Sequence, residues 1–337
     1  MKIGVIGAGS WGTAIAALLA ENGAETALWA FEPDVASEIN KNHRNPLYMS
    51  QARLPARLKA TSSLEEVARG AGLLVNVVPS HLTRSVWKKL APLVKKETVI
   101  VNCSKGLEME SGKRLSEVLM ETLSNLDKGH FVTLSGPSFA KEVLDHQPTT
   151  VVVAGVDQKV AKQVQKLFRR DWFLTYLNDD VVGVELGGAL KNVVAVAAGI
   201  CEGMGLGLNT RAALITRGIY EMTKLGKALG ANPLTFAGLS GMGDLILTCT
   251  GELSRNRTLG IRLGKGEKLE AILKEMKTVA EGVKTAKVAY ELIEKHKINN
   301  PVFAEVYRIL YEGKSPALAL KNLLALDLKE ELGGLLK

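Results

Sequence analysis

The type of periodicity in this sequence changes near residue 180, and this change constrains the fold more than any other feature. As far as residue 178, short runs rich in β-branched residues alternate with amphipathic helical stretches. The runs are KIGVIG, ETALWA, GLLVNVVP, TVIVNCS, HFVTLSG, PTTVVVAG and WFLTYLN. Alternation of this kind is typical of a mainly parallel sheet that is covered by helices on both faces.

Beyond residue 180 the strand signal stops and the sequence becomes almost entirely helical. Apolar spacing and Gly or Pro punctuation predict helices over 183–203, 209–229, 255–264, 281–295, 300–312 and 315–325. A switch of period midway along a chain indicates a domain boundary. We therefore predict two domains, residues 1–180 and 181–337, with the second all-helical.

A glycine-rich motif follows the first strand. GAGSWG at positions 7–12 comes directly after KIGVI and opens the helical segment TAIAALLAENG. In this context Gly7 suits a tight turn, Gly9 lets a pyrophosphate approach, and Gly12 lets helix and strand pack closely. The helix N-terminus then supplies amide donors for phosphate groups. The prediction is an α/β protein whose N-terminal domain has a Rossmann-type, doubly wound, mainly parallel sheet that binds a dinucleotide.

The net charge and the composition limit the classes of ligand that the protein is expected to bind and indicate its cellular compartment. The 337 residues include 43 Lys and Arg against 35 Asp and Glu, a formal net charge of +8, and the positive residues are spread thinly. Small anionic ligands are therefore favoured over nucleic acid. Three widely separated cysteines and five scattered histidines argue against a disulfide framework and against a metal site. With no signal peptide and no uninterrupted apolar run of spanning length, we expect a cytoplasmic protein without membrane insertion.

Polar residues also follow other strands of the first domain. Glu32 follows the second strand, where its carboxylate either accepts hydrogen bonds from the adenosine ribose or lies in a solvated loop. No Arg that could bind a 2′-phosphate occupies positions 30–32. Lys105 follows the strand TVIVNCS, and Gly136 and Ser138 follow HFVTLSG. We expect Pro137 to begin a helix there, with Ser138 either capping it or receiving an anion.

In the second domain, two polar residues interrupt an apolar run. Lys191 and Asn192 lie within GGALKNVVAVAAG at 187–199. A buried ammonium is costly and its pKa tends to fall, so the lysine either reaches a surface or serves a site.

Two further segments of the second domain are rich in polar residues. Asp244 lies in a Gly-rich turn before an apolar helix, where it suits an N-cap. SRNR at 254–257 suits bidentate phosphate recognition or a surface ion-pair cluster.

Nine segments, which occur in order along nearly the whole chain, resemble the sequence motifs of one protein family. They are GAGSWGTA, VVPSH, KGLE, SGPSFAKE, LGGALKNVVA, NTRAALITRG, GMGDLILTCT, SRNRTLG and VAEG. The set is similar to the successive signatures of bacterial NAD(P)-dependent sn-glycerol-3-phosphate dehydrogenases. The resemblance implies reversible hydride transfer between NAD(P)H and dihydroxyacetone phosphate, giving sn-glycerol 3-phosphate for phospholipid synthesis.

The resemblance also assigns roles to individual residues. It implies that Lys191 is the proton donor and acceptor. It implies a substrate site made of Lys105, Gly136, Ser138, Lys191, Asp244, Ser254, Arg255 and Asn256. Cofactor contacts are implied for Ser10, Trp11, Phe31, Lys105, Ala140, Arg255, Val279 and Glu281, beside the glycines Gly7, Gly9 and Gly12. Phe31 departs from the basic or polar residue common at its position. Because no Arg occupies positions 30–32 and Glu32 lies slightly late in the sequence for the ribose, we expect both NADH and NADPH to serve.

Two other functions remain open at this point. One is another lysine-based dehydrogenase of the β-hydroxyacid type, in which SRNR and Lys105 would bind a carboxylate. The other is a non-catalytic dinucleotide sensor, which has no need of Lys191. In the preferred reading the partner is a small phosphate ester. A homodimer is the first expectation for the oligomeric state, because dimers are the commonest oligomers.

Overall fold

The computed structural model describes residues 1–276, 280–326, 330, 331 and 333. Within these residues the chain forms two compact units, each with its own apolar core. The first unit comprises residues 1–104 and 115–181, and the second comprises residues 105–114 and 182–337. The segment 105–114 thus belongs to the second unit, although it lies within the range 1–180 that the sequence analysis gave to the first domain.

The first unit is built on one eight-stranded sheet with the order β3-β2-β1-β4-β5-β6-β7-β8. Its strands are β1 (Lys2–Ile6), β2 (Glu25–Trp29), β3 (Lys59–Thr61), β4 (Leu73–Asn76), β5 (Val99–Asn102), β6 (Phe131–Ser135), β7 (Thr149–Gly155) and β8 (Phe173–Asn178). Only the pair β6 and β7 is antiparallel, so the predicted mainly parallel, doubly wound sheet is confirmed. Within it, β3-β2-β1-β4-β5-β6 is the strand order of dinucleotide-binding folds.

One strand was missed from the sequence. Lys59–Thr61 lies at the edge of the sheet, where it pairs with β2 along three residues. Three residues are too few to show a period-2 pattern, and an edge strand needs no continuous apolar run. Seven of the eight strands are therefore predicted by the sequence pattern.

Helices cover the sheet and link its strands. They are α1 (Ser10–Glu21), α2 (Pro33–Asn42), α3 (Leu64–Ala68), α4 (Ser80–Leu90), α5 (Leu115–Thr122), α6 (Ala140–Leu144) and α7 (Gln158–Phe168). The amphipathic spacing of α7, for example, buries Val160, Val164 and Phe168 while its lysines stay in solvent.

Helices also make up the second unit. They are α8 (Val181–Gly203), α9 (Leu208–Ala228), α10 (Asp244–Thr250), α11 (Arg255–Gly264), α12 (Leu269–Glu275), α13 (Glu281–Lys295), α14 (Pro301–Tyr311) and α15 (Pro316–Leu324). The predicted all-helical character is thus confirmed for the described part of this unit. Helix α8 is long and apolar enough to cross a membrane, but 89% of its apolar window is buried, as in the core helix of a soluble protein.

Glycines allow α8 and α11 to approach each other at backbone distance. A Cβ at Gly199 would lie 2.1 Å from the carbonyl oxygen of Arg257, and one at Gly203 would lie 2.2 Å from that of Ile261. The relation is reciprocal, because a Cβ at Gly260 would lie 2.1 Å from the carbonyl oxygen of Val196. Side chains on either helix would separate them, so these glycines fix where the first turn of α11 lies against α8.

We expect Gly260→Ala to destabilise the protein because the methyl group would meet backbone rather than a movable side chain. Overpacking of this kind costs about 1–3 kcal/mol, and urea unfolding measures it. Gly129→Ala is the matched control, since a Cβ at Gly129 would lie no closer than 3.4 Å to a neighbouring atom. Equal midpoints for the two variants would contradict the close packing described here.

Candidate active site

The loop between β1 and α1 has the geometry of a phosphate cradle. Gly7 has φ 119°, and a Cβ there would lie 2.9 Å from the Val77 carbonyl oxygen. A Cβ at Gly12 would lie 1.8 Å from the carbonyl oxygen of Gly7, so this position also requires glycine. In contrast, a Cβ at Gly9 would meet nothing within 4 Å, and α1 has no side-chain cap. The residues present therefore fit a pyrophosphate at this helix N-terminus.

Two residues that the sequence analysis missed hold this loop in place. Asn45 is fully buried, and its amide nitrogen donates to the Ala8 carbonyl oxygen and to the Thr13 hydroxyl, each at 2.8 Å. The Ser10 hydroxyl donates to the carbonyl oxygen of Tyr48 at 3.1 Å. No motif marks residues 45–48, because a loop packed against the glycine loop has no periodic signal.

Further predicted cofactor and substrate residues of the first unit are arranged as follows. Trp11 donates from its indole nitrogen to the Cys103 carbonyl oxygen at 3.1 Å, and Phe31 is exposed. Gly136, just after β6, has φ 144°, and the Ser138 hydroxyl donates to its carbonyl oxygen at 2.9 Å. Ala140 is the first residue of α6.

The expected helix start at Pro137 is wrong. Phe139 is the N-cap, and α6 has only five residues. The bond from the Ser138 hydroxyl back to Gly136 stabilises a turn before the helix instead. Ser138 therefore does not cap this helix with its side chain.

In the second unit, Lys191 is buried in an ion-paired cluster. Its ammonium donates to Asp244 Oδ1 at 2.6 Å and to the Thr248 hydroxyl at 2.6 Å. The other oxygen of Asp244 accepts from the Lys105 ammonium at 2.5 Å. The Asp244 carboxylate is 1% exposed, so one buried anion holds two lysines that lie far apart in the sequence.

The environment of Lys191 moves its pKa into a useful range. Burial lowers the pKa from 10.5 to about 8, with Asp244 opposing the shift and Lys105 adding to it. A general acid or base works best when its pKa lies near the working pH. Lys191 thus has an accessible protonated and an accessible neutral state.

Asp244 is the first residue of α10, and the N-cap is Gly243. The expected N-cap role is therefore wrong. The carboxylate is turned to the two lysines, while the Thr248 hydroxyl donates to the Asp244 carbonyl oxygen at 2.6 Å. Thr248 is a residue of this cluster that the sequence analysis missed. Its spacing of four residues from Asp244, on the same helix face, was the available signal.

A hydrogen bond to Asn256 explains how Asn192, the second polar residue of the apolar run, can be buried. The Asn256 side-chain nitrogen donates to Asn192 Oδ1 at 2.9 Å, and its oxygen accepts from the Gly282 backbone N–H at 2.9 Å. Both side chains are buried. The amide pair joins α8, α11 and the start of α13, so Asn256 has a structural role in this unit.

The SRNR segment combines a helix cap, an ion pair and an exposed cation. Ser254 caps α11 by accepting from the Arg257 backbone N–H, and the Arg257 guanidinium is paired with Glu202 at 2.6 Å. Arg255 is solvent-exposed and has no hydrogen-bond partner among the residues that the structure describes. The surrounding protein lowers the pKa of Arg255 by desolvation, and Glu281, at the start of α13, opposes this shift. The segment therefore divides between a structural arginine, Arg257, and an available one, Arg255.

Val279, an expected cofactor contact, lies outside the described residues. Among the described residues, no group of three or more His, Cys, Asp or Glu side chains could hold a metal ion. The cysteines Cys103, Cys201 and Cys249 form no disulfide bonds.

The comparisons with known proteins agree over almost the entire chain. Residues 2–161 match the family model of the NAD-dependent glycerol-3-phosphate dehydrogenase N-terminus, and residues 180–321 match that of its C-terminus. A glycerol-3-phosphate dehydrogenase [NAD(P)+] of Geobacter metallireducens is 53% identical over 332 residues, covering 98% of this chain and 99% of the relative. One of Lysinibacillus sphaericus is 47% identical, with 98% of each chain covered. The crystal structure of the glycerol-3-phosphate dehydrogenase of Coxiella burnetii is 37% identical, with a TM-score of 0.92 over 96% of this chain and 99% of that one.

The sheet order and the glycine loop define a Rossmann-type dinucleotide-binding protein, and the family matches make it an oxidoreductase that uses NAD(H) or NADP(H). The chain belongs to the NAD-dependent glycerol-3-phosphate dehydrogenase family. The two other functions considered from the sequence are not favoured by these matches.

The position of Asp244 predicts how the activity will depend on pH. If Lys191 is the proton donor and acceptor, ketone reduction needs its protonated form, so the rate of reduction should fall as pH rises through about 8, while that of alcohol oxidation should rise over the same range. Asp244→Asn removes the charge that holds the pKa of Lys191 up, so both profiles should move to lower pH. Rate profiles in both directions measure the shift, and an unchanged or upward shift would contradict the assignment.

Proposed function

We propose that the chain reduces dihydroxyacetone phosphate reversibly to sn-glycerol 3-phosphate, with Lys191 as proton donor and acceptor. The observation that carries the role of Lys191 is its ammonium, buried and held by Asp244 and Thr248 with a pKa of about 8. In this proposal residues 1–180 form the dinucleotide-binding domain, apart from the segment 105–114, which packs with the substrate and catalytic domain of residues 181–337. Oxidation of NADH and NADPH with dihydroxyacetone phosphate tests the activity directly.

The protein groups that surround the reacting oxygen explain the chemistry. When bound, the nicotinamide supplies the hydride that reduces the carbonyl carbon. Lys191 donates a proton to the carbonyl oxygen as negative charge develops on it, and it accepts the hydroxyl proton in the reverse direction. Lys105 adds positive charge beside it, and Asp244 keeps both ammonium groups in place.

The substrate phosphate is recognised by Arg255, with Ser254 and Asn256 adjoining it. Arg255 supports this role because it is exposed and carries a fork of donors that suits phosphate oxygens, whereas Arg257 is already paired. Gly136, Ser138 and Ala140 complete the proposed binding residues on the first unit, and Glu281 contacts the cofactor. In this assignment, each charged side chain that binds the substrate lies at the part of the ligand with complementary charge.

The wider setting is also proposed from the family. We place the protein in the cytoplasm, where it supplies sn-glycerol 3-phosphate for phospholipid synthesis. A homodimer is the proposed oligomeric state, which sedimentation equilibrium tests. Nucleic acid is not a proposed partner, because the excess positive charge is spread thinly.

Replacing Lys191 by Met should keep the fold and cofactor affinity but lower kcat by about 10²–10⁴, the usual contribution of a positioned acid or base. Stopped-flow turnover, together with circular dichroism and NADH titration, measures both parts. A variant that kept more than a tenth of the wild-type turnover would exclude Lys191 as the proton donor.

Replacing Arg255 by Leu should harm activity on dihydroxyacetone phosphate far more than the residual activity on unphosphorylated dihydroxyacetone. Each charge-assisted bond to the phosphate contributes roughly 1.5–3 kcal/mol, and a remote phosphate orients the ketone. Arg262→Leu is the control, because it removes the same charge from the same helix at a residue paired with Glu267 and Glu275. Equal loss on both substrates would mean that Arg255 acts through the cofactor or the fold.

A further inference from the structure

The side chain of Glu32 is held in one orientation after strand β2. Glu32 is the N-cap of α2, but its carboxylate makes no bond to that helix. Instead, the Tyr48 hydroxyl donates to Glu32 Oε1 at 3.0 Å. Burial of the Tyr48 hydroxyl, together with this bond, raises the pKa of Tyr48, so it remains a donor at neutral pH. Oε2 has no hydrogen-bond partner among the described residues.

Tyr48 belongs to the same loop that braces the glycine motif. Its backbone carbonyl oxygen accepts from Ser10, and its backbone N–H donates to the Asn45 side chain at 3.2 Å. Asn45 in turn bonds to Ala8. One short segment therefore fixes both the loop at the phosphate cradle and the carboxylate after β2. In a fold of this class, the adenosine ribose lies between these two places.

A carboxylate at this point discriminates between the two nicotinamide dinucleotides. Its unpaired oxygen can accept hydrogen bonds from the ribose hydroxyls of NADH. NADPH replaces one of those hydroxyls with a phosphate group, which brings two negative charges close to Glu32 and removes a donor. Residues 30–32 carry no Lys or Arg that could offset this repulsion.

We propose that Glu32, positioned by Tyr48, makes this site prefer NADH over NADPH. The proposal rests on the proposed function for the identity of the bound nucleotide. It sharpens the expectation that both cofactors serve, because it gives the direction of the preference and the residue that causes it. Tyr48 acts as a positioning residue through Glu32.

The experiment compares the dissociation constants of NADH and NADPH, measured by nucleotide fluorescence, with kcat/KM for each cofactor. Wild type should bind NADH at least about tenfold more tightly than NADPH, since one or two hydrogen bonds to a charged group have that effect. In Glu32→Gln, NADPH binding should tighten by about tenfold because the repulsion is gone, while NADH binding should weaken by about three- to tenfold because an amide oxygen accepts hydrogen bonds less strongly than a carboxylate. In Tyr48→Phe, NADH binding should weaken by about three- to tenfold with kcat retained, which is the effect of one lost hydrogen bond.

Glu38→Gln is the matched control. Glu38 lies on α2 and bonds to Asn42, so its loss removes the same charge without altering the side chains around Glu32. Its ratio of NADPH to NADH dissociation constants should equal that of wild type. The ratio is insensitive to the folded fraction of a weakened variant, so a folding defect in Glu32→Gln cannot imitate the effect. In Tyr48→Phe the retained kcat serves the same purpose, because a folding defect would lower it.

Two results would overturn the proposal: a wild type that binds NADPH as tightly as NADH, or a Glu32→Gln variant whose ratio stays within about twofold of wild type. The binding of NADH and NADPH is measured in the absence of dihydroxyacetone phosphate. If both nucleotides bind with the expected ratios but dihydroxyacetone phosphate is not reduced, the proposed function fails and the assignment of Glu32 stands.

Discussion

The second unit is organised around the buried carboxylate of Asp244, which forms ion pairs with two lysine ammonium groups. Asp244 is almost fully excluded from solvent and pairs with Lys105 and Lys191 through different oxygens. A buried charge without a partner is strongly destabilising, so the lysines and the aspartate depend on one another. This interaction explains why a lysine can remain in the apolar helix α8. It also explains why the segment from Lys105 packs with the helices rather than with the strand that precedes it.

The direct packing of α8 on α11 positions the other polar residues. Glycines on both helices bring backbone against backbone, and the Asn192–Asn256 pair joins the helices near the same level. Because α11 begins at Arg255, this packing also determines where that guanidinium lies. A few ångströms of separation from larger side chains would move Arg255 and break the amide pair. The small residues around Lys191 thus have a structural cause in addition to any requirement of a ligand.

In the first unit, one loop connects two parts of the proposed nucleotide site that are far apart in sequence. Asn45 bonds to the glycine loop and Tyr48 bonds to the residue after β2, so the loop coordinates both ends. Asn45 is fully buried with its amide bonded, which makes the arrangement specific rather than merely compatible. The bonds of Asn45 reach Ala8 and Thr13, and a Cβ at Gly9 would still meet nothing within 4 Å.

The sequence by itself determined the architecture and most of the chemistry. Alternating and helical periodicity report local burial, so they identified seven strands and the long helices of the second unit. The context of the GAGSWG motif, between a strand and a helix, identified Gly7, which has a positive φ, and Gly12, which contacts backbone. The three-residue strand Lys59–Thr61 and the start of α6 escaped because short elements depend on their neighbours rather than on a pattern. Only the tertiary structure showed that Lys105 and Lys191 share Asp244, that Asn192 pairs with Asn256, and that Tyr48 holds Glu32. Each of these contacts joins residues separated by at least sixteen positions, and packing rather than local sequence brings such residues within hydrogen-bonding distance.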